Sequence, residues 1–118
     1  MTDERIELFQ NVVDSILSTP GETSTTLRTA LAQQPAQLYG LPIQQETTLP
    51  PELQTYVTKV ATNAYKVTDQ DTAQLCAHGY GEDAIFEITL SVAAGAGMMC
   101  LKQGLAALEE AKNASKKD

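Results

Sequence analysis

The sequence predicts an all-α protein, a bundle of about five helices, on three observations. Apolar residues return at three- and four-residue steps in successive segments, as one face of a helix requires. No segment keeps the strict alternation of a half-buried strand. The longest segment has an Ala/Gly-rich middle suited to close helix contact. With 118 residues, 42% hydrophobic and 19% charged, the chain has the length and balance of one ordered domain. Within it we distinguish an N-terminal helical pair (1–38) from a helical core (49–112).

The first helix is expected from about Asp3 to Ser18, where Ile6, Phe9, Val13, Ile16 and Leu17 form one stripe and Pro20-Gly21 follows as a stop. Asp3 and Glu4 suit the positive end of its dipole. A second, weaker helix spans roughly Ser24 to Leu38, with Leu27, Ala30, Leu31 and Leu38 on its apolar face. Threonines in its first turn lower its propensity, and Pro35 should shorten or kink it. Tyr39 to Pro50 reads as an extended connector.

Pro51 fits the first position of a third helix, where its missing N–H costs nothing. Leu53, Val57, Val60, Ala61 and Ala64 mark its buried face down to Tyr65. Thr68 with Asp71 three residues on resembles a capping box for a short fourth helix. His78 falls in its last turn, and Gly79 supplies the left-handed stop. The fifth and longest helix opens at Gly81-Glu82-Asp83 and reaches about Lys112. Ile85, Ile88, Val92 and Met99 line one side; Phe86, Leu90, Ala93 and Cys100 line another. Its uncharged run from Ile88 to Leu101 is too short to span a bilayer and reads as buried core. Gly95, Gly97 and Gly104 each cost about 1 kcal/mol relative to alanine. Close approach of another helix backbone is the expected reason, and a ligand pressed against the helix is the alternative.

A net charge of −7 argues against a nucleic-acid partner, which needs a basic face to release counterions. Lys112, Lys116 and Lys117 near the C-terminus read as a solvated end. Two cysteines, Cys76 and Cys100, make no disulfide framework in a chain of this size. No apolar stretch resembling a signal peptide follows Met1. The expectation is a cytoplasmic protein with reduced thiols and no membrane partner.

The residues that carry chemistry are few. Glu52, Lys66, Asp69 and Asp71 could line a polar pocket in which carboxylates act as acid and base or hold a cation. Each acid also has a local explanation at a helix N-terminus. Cys76 and His78 are two apart, about 200° round a helix, so they do not share a face for nucleophilic pairing. Cys100 reads as an inert core thiol, and a Cys76–Cys100 contact is left open. One histidine and two distant cysteines do not make a zinc site, and no phosphate-cradling glycine loop is present. No cofactor is expected.

The block from Leu49 to Leu108 resembles the alkylhydroperoxidase D (AhpD-like) / carboxymuconolactone decarboxylase superfamily. The resemblance is carried chiefly by Gly79-Tyr80-Gly81-Glu82-Asp83-Ala84-Ile85-Phe86-Glu87 with its Ala-rich continuation, and by Ala64-Tyr65-Lys66-Val67-Thr68-Asp69. It implies the superfamily's orthogonal helical bundle and an oligomer built on dimers or trimers. In redox members a Cys-x-x-Cys precedes a histidine by four residues. Those positions read Ala64, Val67 and Asp71 here, and a glutamate of the family pattern falls on Glu52. Peroxide reduction by that route needs an attacking and a resolving thiol, which alanine and valine cannot supply. The decarboxylase branch keeps a histidine where Asp71 stands. Two readings follow: a scaffold without thiol chemistry that binds a small molecule or acts in assembly, or an enzyme with a relocated site at Cys76 or at Glu52/Lys66/Asp71.

Overall fold

The computed structural model describes residues 4–41, 43 and 48–116. Asp3, Lys117 and, within the expected connector, Pro42 and residues 44–47 lie outside them. Among the described residues the chain is all-helical, with α1 Glu4–Ser18, α2 Thr25–Leu38, α3 Pro51–Asn63, a single 3₁₀ turn Ala64–Lys66, α4 Asp69–Ala77 and α5 Glu82–Lys116. The third helix therefore stops two residues before the expected Tyr65, and the fifth runs four residues past Lys112.

Local chemistry sets most of these ends. Ser24 Oγ accepts from the Leu27 N–H to start α2. Thr68 and Asp71 form the full capping box of α4. α4 ends in a Schellman pattern: Gly79 takes φ 93°, its N–H bonds the Cys76 carbonyl and the Tyr80 N–H reaches the Leu75 carbonyl. α2 ends the same way at Gly40 (φ 71°), with Gly40 N–H on Gln37 and Leu41 N–H on Ala36. That second stop is hidden in sequence inside what reads as a loop. Pro35 does not shorten α2. It gives up one ladder bond, but it is buried and the Tyr39 N–H still bonds its carbonyl at 3.2 Å.

Helix α5 is the axis against which α1, α2 and α3 pack. The main core joins Leu31 of α2, Leu53 and Val57 of α3, Leu75 of α4 and Ile88 and Val92 of α5. A smaller cluster sets Val13 of α1 against Ala94 and Met98 of α5. Gly95 is required by the close crossing of α2: a Cβ there would lie 1.9 Å from the Ala32 carbonyl oxygen. Helix packing is thus the reason for this glycine.

Only one side of α5 is buried, which corrects the expectation that its uncharged run from Ile88 to Leu101 is buried core. Phe86 is 66% exposed, and Ala93 and Cys100 are exposed as well. Cys100 is therefore no core thiol, and it and Cys76 are both free. By length and composition α5 is apolar enough to cross a membrane, with 28% of its most apolar window buried. Beyond Gln103 most of its residues are exposed, so the last turns form an arm. The molecule accordingly measures 60 × 28 × 24 Å.

A charged cluster ties the α1–α2 corner to this axis. Arg28, 3% exposed, donates to the Ile16 carbonyl at 2.7 Å and to the Thr23 carbonyl at 3.2 Å. A cation there also suits the C-terminal end of the α1 dipole. The Glu87 carboxylate accepts from the N–H groups of Glu22 and Thr23, each at 2.9 Å. It also accepts from the Thr23 hydroxyl. A side chain at Gly21 would collide with that carboxylate.

Candidate functional site

Of the residues singled out in sequence, the fold brings Glu52, Asp71 and His78 to one notch of about 170 Å³ between α3 and α4. Glu52 lies in the first turn of α3, Asp71 in the first turn of α4, and His78 at its end. Glu52 Oε1 accepts from the Tyr80 hydroxyl at 2.8 Å. Its own N–H, the Tyr80 hydroxyl and nearby His78 hold the Glu52 carboxyl below its ordinary value. Burial, and then the adjacent Glu52 carboxylate, push the Tyr80 phenol up. His78 Nδ1 lies 2.9 Å from the Gln74 carbonyl one turn back.

Asp71 is engaged on both oxygens. Lys59 Nζ reaches them at 3.1 and 2.9 Å, and the Thr68 N–H donates to Oδ2 at 2.8 Å. Lys59 and then the Thr68 N–H hold its carboxyl below the usual range. The cation facing Asp71 is thus Lys59, and the expectation for Lys66 is corrected: Lys66 Nζ sits over the Tyr65 ring, 5.8 Å from its centroid. Lys66 lines a separate pocket along α3 with Thr58, Lys59 and Thr62, and not the notch. Cys76 does not line the notch. It is exposed on another side of α4, as its two-residue offset from His78 requires. Asp69 is exposed in the first turn of α4 and does not line the notch either. Among the described residues no group of three His, Cys, Asp or Glu side chains is placed to hold a metal ion.

Sequence reasoning missed Lys59 and Tyr80. The signal for Lys59 was its seven-residue spacing from Glu52, two turns along the same face of α3. Tyr80 is placed by the Schellman turn, which folds the residue after Gly79 back towards α4 and α3.

A larger cavity than the notch lies elsewhere. A groove of about 490 Å³ opens between α1, α2 and α5. Leu17, Ala36, Leu41, Met98 and Met99 give it apolar walls, and Gly95 contributes to its lining. Gln33, Lys102 and Gln103 supply the polar lining. The buried Gln33 Oε1 has no hydrogen-bond donor, and Lys102 has no ion-pair partner among the described residues. The Gly40 turn helps to build the groove, because it brings Leu41 back against the end of α2. Set against known proteins, the chain matches no family model, no curated protein and no solved structure.

Proposed function

We propose that this protein is a ligand-binding scaffold of the alkylhydroperoxidase D-like type, without thiol peroxidase or decarboxylase chemistry. Its ligand is a small amphiphilic carboxylate held in the α1–α2–α5 groove. The observation that carries this reading is the groove itself. Its volume of about 490 Å³ falls within the roughly 300–1,000 Å³ of small-molecule sites. Leucine and methionine walls suit an aliphatic or aromatic body, and thioether side chains adapt to ligands of different shape. Lys102 offers a cation to a carboxylate, and the Gln33 oxygen offers an acceptor to a ligand hydroxyl or amide.

The scaffold part of the reading is supported by the resemblance over Leu49–Leu108 and by the residues at the family's four chemical positions, Glu52, Ala64, Val67 and Asp71. Neither alanine nor valine can attack a peroxide. In the α3–α4 notch, Glu52 and Asp71 are engaged by Tyr80, Lys59 and Thr68, which favours a structural role there.

Titration with decanoate, and with 1-naphthoate as an aromatic probe, tests the proposal by calorimetry. Saturable binding is expected, abolished in Ala36→Trp, which fills the groove. In Lys102→Glu it should weaken at least tenfold, about 1.4 kcal/mol. Binding that is absent in the wild type, or unchanged in Ala36→Trp, would refute the groove as the site.

A further inference from the structure

The face of α5 opposite the core carries a second apolar stripe. Phe86, Leu90, Ala93, Gly97, Cys100 and Gly104 follow one another at alternating steps of four and three, and the spacing continues to Ala111. A 3.5-residue average is the spacing of a helix–helix seam. The stripe carries no charge. Phe86 is 66% exposed and Leu108, at its edge, 45%. Glycine at 104 is unfavourable in a helix, and nothing in the chain lies within 4 Å of the Cβ it lacks. At Gly97, which is half-buried, the Phe9 ring of α1 stands 3.1 Å from where a Cβ would lie, so Phe9 flanks the middle of the stripe.

The exposed area is larger than the average for a compact monomer of this mass, and the projecting arm of α5 carries part of the excess. The chain of 12.7 kDa exposes 7816 Å², where a folded monomer of that mass exposes roughly 6,200 Å². The surplus of roughly 1,600 Å² exceeds the ~800 Å² that each partner contributes to a stable interface.

We propose that a second copy of this chain covers the outer face of α5, the two long helices packing antiparallel about a twofold axis at Gly97. Side-chain volume and charge select this direction. Bulk lies at the start of the stripe (Phe86, Leu90) and small residues at its end (Gly104, Ala107, Ala111). The antiparallel arrangement places Leu90 level with Gly104 of the partner subunit, and Phe86 over the turn holding Ala107 of the partner subunit. Asp83 comes level with Lys112 of the partner subunit, on the same flank. A parallel pair would set phenylalanine on phenylalanine and leave glycine opposite glycine. The exposed arm of each copy then lies along the body of the other. The small residues Ala93, Gly97, Cys100 and Gly104 let the two helices approach, and the Phe9 ring beside Gly97 joins the contact from α1. This inference is independent of the ligand groove and stands or falls separately from it.

Sedimentation equilibrium and pulsed electron resonance on the full chain test it. The wild type should be dimeric at roughly 100 µM. Ala93→Glu should stay helical by circular dichroism and weaken dimerisation about 100-fold, since it buries an unpaired charge. Asp83→Lys should weaken dimerisation, and Asp83→Lys with Lys112→Asp should restore it. A spin label at Asn113→Cys, with Cys76→Ser and Cys100→Ala, should report about 50 Å between copies, from 1.5 Å rise per residue on either side of Gly97. A monomer at that concentration would overturn the proposal, and so would a label distance of about 20 Å or less, which a parallel pair gives. Protein that stays monomeric but binds phosphatidylcholine vesicles would also overturn it, because the stripe would then belong to a lipid surface.

Discussion

Two glycines thirteen and twenty-two residues into the same helix do different work, and their neighbours say why. At Gly95 the Ala32 carbonyl occupies the place a side chain would take, so Gly95→Ala must push α2 off the axis. We expect a loss of about 2–3 kcal/mol, the usual cost of overpacking, measured by urea unfolding. At Gly104 no other helix among the described residues comes within 4 Å of the missing Cβ, and Gly104→Ala should raise the stability of the dilute protein by up to about 1 kcal/mol. Equal effects at the two positions would count against the packing described. The Glu87 carboxyl is held below its ordinary value of 4.5 first by the Thr23 hydroxyl and then by the N–H groups of Glu22 and Thr23. A group whose folded pKa lies below its unfolded one contributes stability above the unfolded value, and that contribution is lost as pH falls through the folded value. Glu52 and Asp71 act in the same sense. The urea midpoint should therefore hold between neutral pH and about 5, then fall on further acidification. Glu87→Gln should start lower and fall less steeply; an unchanged acid slope would remove Glu87 from this account.

At the level of elements, caps explain more than propensity does. α4 has nine residues, too few to persist alone in water. It is kept by the Thr68–Asp71 box at one end, the Gly79 turn at the other and Leu75 in the core. Thr68→Ala should cost about 1 kcal/mol, visible as faster amide exchange in the first turn of α4 and a lower melting temperature. Thr68 and Gly79 were both legible in sequence because capping is local chemistry. The end of α2 was less so: Pro35 suggests a break, whereas Gly40 and Leu41 close the helix. Burial of Pro35 on the bundle side of α2 outweighs its lost hydrogen bond, and burial is a tertiary fact.

For the molecule as a whole, α5 divides into a packed half and an arm. Amides from Ala84 to Met98 should exchange slowest. Those from Ala106 to Ser115 should exchange within seconds in dilute protein, because their residues are exposed. Raising the concentration should protect the arm and leave the packed half as it was. Uniform protection along α5 in dilute protein would contradict the exposure pattern. Five helices and most of their ends followed from the sequence by itself, since periodicity, caps and proline positions act within a few residues. Which side chains meet was decided by the tertiary structure alone. Lys59 and not Lys66 faces Asp71, because Lys59 stands on the side of α3 that packs against α4. The apolar groove and the bare outer face of α5 depend on how three helices divide one cylinder among them. A sequence shows that a helix is apolar on several sides; only the packing decides which side is left open.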